Sequence, residues 1–315
     1  MTCHNCQVQA VKIGKDRKGN QRYLCRNCRK TFQEQQEKPL GGMYLPLEKA
    51  EMVLRLLVEG NSVRSIERIT GVEKKTVLKL LVLAGEKCER LLDDKLRGVA
   101  VRDVQADEMW GFVGMKERTK KRKLRTETDL GDAYTFVAIE RNTKLVLAWH
   151  LGRRTNKDTE QFTEKLYRAT SGQFQLTTDG FAAYIPAVEY SLGTRVDFAQ
   201  LVKIYEQAEQ GSGERRYSPP RVVETIRKTI IGQPDEDRIY TSHVERQNLT
   251  MRMMMRRLTR LTNAFSKKWE NLKAALALHF AYYNFCRIHK TIRCTPAMEA
   301  GIEKSVWGLT DLLAY

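Results

Sequence analysis

Apolar residues recur along this chain at two different periods. Over residues 45–81 the spacing is helical: Met52, Val53, Leu56 and Leu57, then Val63, Ile66 and Ile69, then Val77, Leu80 and Leu81. Gly60-Asn61 and Thr70-Gly71-Val72 cut that run into three short helices. Leu45-Pro46 suits the opening of the first helix, and Ser62 is placed to cap the second. A glycine turn before the last of three short helices is the helix-turn-helix pattern, whose final helix enters the major groove of DNA. An ordinary three-helix bundle shares the pattern. Lys74, Lys75, Thr76 and Lys79 fall on the outer side of that last helix, and residues 85–98 continue as a charged helix and exit segment.

From Val99 the pattern changes to alternation. Residues 99–114 read as a strand with Asp107 near its end, and 134–140 and 144–151 as a hairpin about Arg141-Asn142. Residues 155–170 then form a helix with Phe162, Leu166 and Ala169 on one side. Residues 174–178 form a strand that delivers Asp179-Gly180, and a further helix leads to a strand near 196–204. That order predicts an α/β domain with a mixed sheet.

The length, 315 residues, allows about two domains of ~150 residues and a small third. With 42% apolar and 30% charged residues the chain is globular. No apolar run approaches the ~20 residues of a bilayer span, so no membrane partner is expected. The N-terminus lacks the basic start and apolar stretch of a signal peptide. A soluble intracellular protein is expected. Lys and Arg number 55 against 38 Asp and Glu, a net charge of +17. Such an excess points to a polyanionic partner, usually nucleic acid, with plain solubility as the alternative.

Four of the seven cysteines stand in the first 28 residues, as Cys3-x2-Cys6 and Cys25-x2-Cys28. Two such pairs can direct four thiolates at one tetrahedral zinc ion. A small hairpin turning near Asp16–Asn20 brings the pairs together. So few core residues accompany them (Val8, Val11, Ile13, Tyr23, Leu24, Phe32) that metal must supply much of the folding energy. A disulfide pair or a redox dithiol fits two matched pairs less well. Lys12, Lys15, Arg17, Lys18, Arg22, Arg26, Arg29 and Lys30 give this ribbon a basic rim that favours DNA. Cys88, Cys286 and Cys294 are scattered and read as ordinary thiols.

Asp107 and Asp179 end two strands that can be neighbours. Carboxylates brought together repel unless a divalent cation lies between them, and two Mg²⁺ ions ~3.5–4 Å apart suit phosphodiester chemistry. Glu245 is the candidate third ligand. Plotted as one helix, residues 244–261 put Val244, Met251, Met254, Met255, Leu258 and Leu261 on an apolar side. Glu245, Arg252 and Arg256 then align on another. Residues 246–260, Arg260 included, hold five arginines and no acid, more than a solvated face needs. Other acids are discounted: Glu108 should face away from Asp107, Asp103 lies deeper on the strand, and Asp132 and Asp158 sit where caps and turns use Asp. His243 reads as structural or solvated and Trp110 as core.

DEMWGFVGMK (107–116), GDAYTFVAIERNTKLVLAWHLGRRTNKDTEQF (131–162), TTDGFAAY (177–184) and HVERQNLTMRMMMRRLTRLTNAFSK (243–267), in that order, resemble the insertion-sequence transposases of the IS1 family. With the zinc ribbon and helix-turn-helix, the resemblance covers nearly the whole chain. It implies a ribonuclease H-like fold with an Asp-Asp-Glu triad at Asp107, Asp179 and Glu245. It further implies Mg²⁺- or Mn²⁺-dependent nicking of double-stranded DNA at terminal inverted repeats and strand transfer by the freed 3′-OH. The setting would be a homodimer or larger synaptic assembly in a prokaryotic cytoplasm, at the nucleoid. The 66 positions from Asp179 to Glu245 exceed what short family members need, so 206–240, with GSGERRYSPP, reads as an inserted loop. Residues 282–301 are similar to the closing segment of such enzymes, and Tyr282, Tyr283, Asn284 and His289 are candidates to brace the Glu245 helix or simply to pack. The expected division is a ribbon (1–32), linker (33–44), helix-turn-helix (45–96), catalytic domain (97–300) and tail (301–315). The competing reading is a DNA-binding regulator whose C-terminal domain is inactive. A nuclease acting on RNA or branched DNA is a third, weaker reading.

Overall fold

The structure is a computed structural model, and it describes residues 1–3, 5–16, 19–33, 39–206 and 222–315. It divides into two compact units, Met1–Met43 and Tyr44–Tyr315.

The first unit is an antiparallel sheet of β1 (Val11–Lys15), β2 (Gln21–Leu24) and β3 (Thr31–Gln33). Asp16 ties the β1–β2 turn, its Oδ1 accepting from the Asn20 amide at 2.8 Å. Tyr23 stacks on Phe32 with ring centroids 6.0 Å apart. Arg17 and Lys18 of the basic rim lie outside the described residues.

The second unit opens with α1 (Leu47–Val58), α2 (Val63–Thr70) and α3 (Lys74–Lys95). Ser62 caps α2 by accepting from the Ser65 amide at 3.1 Å, and Gly71 closes it at φ 69°. Glu67 caps the next helix by accepting from the Lys74 amide at 2.9 Å. The periodic residues Val53, Ile66, Val77, Leu80 and Leu81 are buried, whereas Met52 and Ile69 stay exposed.

After β4 (Val99–Ala100) come β5 (Asp103–Val113), α4 (Glu117–Arg122), β6 (Gly131–Glu140), β7 (Val146–Gly152) and α5 (Asn156–Ala169). Then follow β8 (Thr170–Ser171), β9 (Phe174–Asp179), α6 (Tyr184–Ser191), β10 (Val196–Tyr205) and β11 (Val222–Ile231). The chain closes with α7 (Ser242–Met254), α8 (Trp269–Ala281), α9 (Pro296–Glu299) and α10 (Leu309–Ala314). The result is mixed α/β, around a six-stranded sheet in the order β11-β10-β9-β5-β6-β7. β5 pairs antiparallel with β6 and parallel with β9, and β9 pairs parallel with β10.

Residues in register share a face of the sheet. Glu108, Phe136 and His150 form one such row. On that face Phe136 meets Phe162 of α5 at 5.6 Å and Tyr184 of α6 at 6.4 Å. Asp107, Val137 and Trp149 form the neighbouring row on the other face, where Trp149 meets Phe280 of α8 at 5.6 Å.

Two expectations change. Residues 206–240 are not simply an inserted loop, because 222–231 form β11 at the sheet edge; GSGERRYSPP itself lies outside the described residues. Residues 301–315, the expected tail, are docked on the domain: α10 buries Leu309, Leu312 and Leu313, and Glu303 pairs with Lys95 of α3 at 2.7 Å. The helical module is not a separate body. α3 runs unbroken through residues 85–95 and packs along α8 so closely that a Cβ on Gly85 would lie 2.5 Å from the Ala274 Cα. Replacing a helical glycine by alanine ordinarily gains ~1 kcal/mol. Here the clash is with backbone, and overpacking costs ~1–3 kcal/mol. Gly85→Ala is therefore expected to lower the midpoint of urea unfolding rather than raise it.

Candidate functional site

The β5–β9 ladder ends at Ala106 opposite Thr178. The next residue on each strand is Asp107 and Asp179, so parallel register sets the two carboxylates side by side. Asp107 is mid-strand rather than near the strand's end; what ends beside it is β9. Helix α7 lies against the same face. The side chain of Gln105 on β5 fixes its start, with Oε1 accepting from the amides of His243 and Val244 at 2.9 and 3.3 Å. Two residues on along the strand is ~7 Å and four residues on along a helix is ~6 Å. Strand and helix therefore keep pace. Asn248 reaches Asp107, donating from Nδ2 to Oδ2 at 2.8 Å, and Arg252 reaches the Trp110 carbonyl at 3.4 Å.

Asp107, Asp179 and Glu108 each offer a carboxylate oxygen within 4.8 Å of the others. Alternation turns Glu108 away from Asp107, and its row does face α6. Beyond the end of β9, however, nothing separates the two faces, and its carboxylate comes round to the others. Burial, then the charge of Asp179, push Asp107 up to about 7 and Glu108 up to about 8. Asp179 is also raised, by burial. Such a donor set suits a hard divalent cation, which would remove the repulsion.

Glu245 does not join this cluster. Its Oε1 accepts from Thr241 Oγ1 at 2.6 Å and pairs with Lys203 of β10. It is close enough, one helical turn before Asn248, for its charge to add to the upward push on Asp107. Arg154 answers the cluster from the other side: Nε donates to Glu108 at 2.7 Å, Nη2 lies 4.0 Å from Asp179, and the guanidinium sits 4.1 Å over the Phe181 ring. Asn248, Lys203, Arg154 and Gln105 were not singled out from sequence; no periodicity marks a polar residue whose partner is on another element.

The remaining candidates divide. Lys74, Lys75 and Lys79 are exposed at the start of α3, with Thr76 half-buried beside them. Arg256 and Arg260 are exposed, but Arg252 is committed to the carbonyls of Leu258 and Trp110. The single helix expected over 244–261 ends at Met254, where Met255 turns extended (φ −120°, ψ 98°). Arg256 therefore does not align with Glu245, and Leu261 is exposed rather than apolar-facing. Asp103 pairs with Arg141 at 3.1 Å, Asp132 accepts from the Glu117 amide, and Asp158 holds His150 at 2.9 Å. His243 lies 3.3 Å from Lys144. Trp110 is half-buried against Phe112 with Lys116 over its ring. Asn284 braces β7 rather than α7, exchanging hydrogen bonds with both backbone groups of Val146 at 3.0 and 2.9 Å. Tyr283 is buried, Tyr282 is half-buried, and His289 packs edge-on to Tyr283.

In the first unit the sulfurs of Cys3, Cys6, Cys25 and Cys28 converge within 4.8 Å, and Cys3 lies 3.6 Å from Cys28. Sulfurs around a tetrahedral zinc with Zn–S of ~2.3 Å stand roughly 3.8 Å apart, so the tetrad can hold that ion. The Asn5 amide helps pull the Cys3 thiol down to about 7, while proton sharing with Cys28 pushes Cys6 up to about 12.

No protein-family model matches the chain. Among solved structures it is similar to a piggyBac transposase synaptic complex with hairpin DNA, at 9% identity, over 84% of this chain and 68% of that one. The TM-score of 0.38 is too low for that likeness to carry an argument. No helix among the described residues is long and apolar enough to cross a membrane.

Two outcomes are expected. Native mass spectrometry should find one zinc per chain, lost on Cys25→Ser. Asp107→Asn should raise stability in cation-free buffer at pH 7.5 by ~1–2 kcal/mol. A carboxyl whose pKa is raised on folding weakens the fold as pH climbs past its ordinary range. Asn removes that charge and keeps both hydrogen bonds of Asp107: its Oδ1 can still accept from the Glu108 amide, now at 2.8 Å, and Asn248 Oδ1, without a partner among the described residues, can turn to accept from its amide. The same change should abolish any thermal stabilisation by Mn²⁺.

Proposed function

We propose that the protein is an insertion-sequence DNA transposase of the IS1 type. One observation carries the reading: Asp107 and Asp179 meet across adjacent parallel strands, with a helix bearing a further acid pinned beside them. The sheet order supports a ribonuclease H-like domain over 97–300, since β5 is flanked by the antiparallel β6 and β7 on one side and the parallel β9 and β10 on the other. In this reading residues 1–32 form the zinc ribbon, 33–44 the linker and 45–96 the helix-turn-helix.

Asp107, Asp179 and Glu245 would hold Mg²⁺ or Mn²⁺, with Glu108 as an additional donor. When bound, the metal lowers the pKa of water or a 3′-OH and offsets charge on the leaving oxygen. The chain's own groups set the geometry. Asn248 orients Asp107, and Arg154 holds Glu108 and steadies Asp179. Lys203 and Thr241 hold the Glu245 carboxylate one helical turn before Asn248, on the side from which it would complete the set. Lys74, Lys75, Thr76 and Lys79 would meet the terminal inverted repeats, and Arg256 and Arg260 would follow phosphates nearer the carboxylates. Cutting both ends together calls for a homodimer or larger synaptic assembly, at the nucleoid of a prokaryotic cytoplasm.

The Lys203–Glu245 pair favours the competing reading, a DNA-binding regulator with an inactive domain. The test is Mg²⁺-dependent nicking of duplexes carrying the ends of its own element. Wild-type protein should nick and join them, and Asp179→Asn should lower the rate at least ~100-fold with DNA binding retained. Wild-type nicking rates from a folded Asp179→Asn protein would overturn the assignment. Binding without any nicking by the wild type would favour the regulator.

A further inference from the structure

A cavity of about 770 Å³ opens within the second unit, away from the carboxylates. It lies between the α1–α2 turn, the start of α3, the segment after α7 and one side of α8. Its charge is one-sided. Arg64, Lys74, Arg256, Arg257 and Lys267 line it, and no carboxylate does. Burial and the charge of Arg64 push the Lys267 ammonium below its ordinary value. Arg257 is the least compensated of these cations. Its Nη1 makes one 3.3 Å bond to Ser266, while Nη2 is shielded from solvent and has no partner among the described residues. Burial brings the guanidinium down to about 10, so it remains charged at neutral pH. A sequestered cation without a counter-charge opposes folding, and an anion entering the cavity would relieve it.

The rest of the cavity is not a simple anion cradle. Leu57, Leu78 and Leu278 supply an apolar wall, and beside them stands the half-buried ring of Phe265, 4.7 Å from Phe112 and with the end of Lys267 over its face, where a base would have to displace that ammonium toward the phosphate. His279, buried, has no hydrogen-bond partner at either ring nitrogen among the described residues. It is uncharged, since burial pushes it down to about 3. It therefore offers one donor and one acceptor. An apolar wall, an unsatisfied polar edge and concentrated positive charge fit a flat heterocycle attached to a phosphate. The volume is that of a small-molecule site and excludes a paired duplex.

We propose that this cavity receives a single unpaired nucleotide of the bound DNA, its phosphate against Arg257 and its base against Phe265 and the leucine wall. The inference rests on the DNA-acting reading above and adds to it a preference for unpaired structure. Location favours DNA over a free nucleotide. Lys74 joins the cavity to the exposed start of α3, and Met254 joins it to the helix beside the carboxylates. A strand passing from one to the other crosses its mouth.

The experiment compares the zinc-loaded full-length protein on two fluorescent duplexes of the same sequence, one fully paired and one with a single unpaired thymidine bulge. A third arm adds thymidine monophosphate in a thermal-shift assay. Wild-type protein should bind the bulged duplex about tenfold more tightly. Phe265→Leu and Arg257→Met should bring that ratio near one with paired-duplex affinity within about twofold. Arg257→Met should also raise the melting temperature, because it removes an uncompensated cation; a merely structural arginine would lower it on removal. Equal wild-type affinity for the two duplexes would overturn the proposal and leave the transposase reading standing. A thermal shift with the monophosphate but no preference for the bulge would overturn the DNA source in favour of a free nucleotide. Failure to bind either duplex would overturn both readings.

Discussion

The amide oxygen of Gln105 accepts from the first turn of α7, and the arrangement around the carboxylates depends on that bond. Helix starts leave amides unsatisfied, and α7 begins without a side-chain cap from its own N-cap residue, Thr241. A buried strand residue supplies what the helix lacks. The bond therefore fixes the register of the helix on the sheet as well as its end. Two residues along the strand lies Asp107, and one turn along the helix lies Asn248, and these meet.

That register concentrates like charge. Asp107, Glu108 and Asp179 share a small volume, and two of the three are pushed to about 7 and 8. Arg154 and Lys203 offset the excess without entering the cluster. The opposite imbalance stands at the cavity lined by Arg257, where cations gather with no acid among the lining residues. A sequence selected for stability alone would interleave these charges. Keeping an acidic cluster and a basic cavity apart within one compact unit lowers the stability of the empty protein, and each feature suits a ligand of the opposite sign.

Much of this was legible in the sequence where a signal is local. The cap at Ser62, the turn at Gly71 and the hairpin about Arg141-Asn142 were readable because each depends on neighbours in the chain. The cysteine spacing was readable because two residues between thiols fit one metal. Asp179 is legible as the residue that a short strand delivers to the turn at Gly180, and β9 ends there. The misreadings have separate causes. Glu108 was set aside by strict alternation, which holds inside a sheet and fails to separate two side chains where the neighbouring strand stops. The 244–261 helix was extended on periodicity, but the methionine run continues past the point where the backbone turns at Met255. β11 carries the Val, Ile and Thr residues of a strand, but it follows GSGERRYSPP, which reads as a loop, and as an exposed edge it has no buried face to mark it. Asn248, Lys203 and Arg154 act on other elements, and no spacing rule names a partner forty or more positions away.

The continuity of α3 bears on how binding and chemistry would be linked. Its first turn carries Lys74, Lys75, Thr76 and Lys79, and its middle is locked to α8 at Gly85 with no room for a methyl group. Its last turn is held by Glu303 through Lys95, and nearby Asp94 accepts from the Tyr315 hydroxyl at 2.8 Å. α8 in turn packs on the sheet through Phe280 and Trp149, and Trp149 lies in the same cross-strand row as Asp107. A helix docked this tightly cannot turn as an independent reading head. DNA held at its first turn would be held at a fixed distance from the carboxylates, so the choice of which bond faces them would be made by the rigid path through α3, α8 and the sheet rather than by a flexible joint.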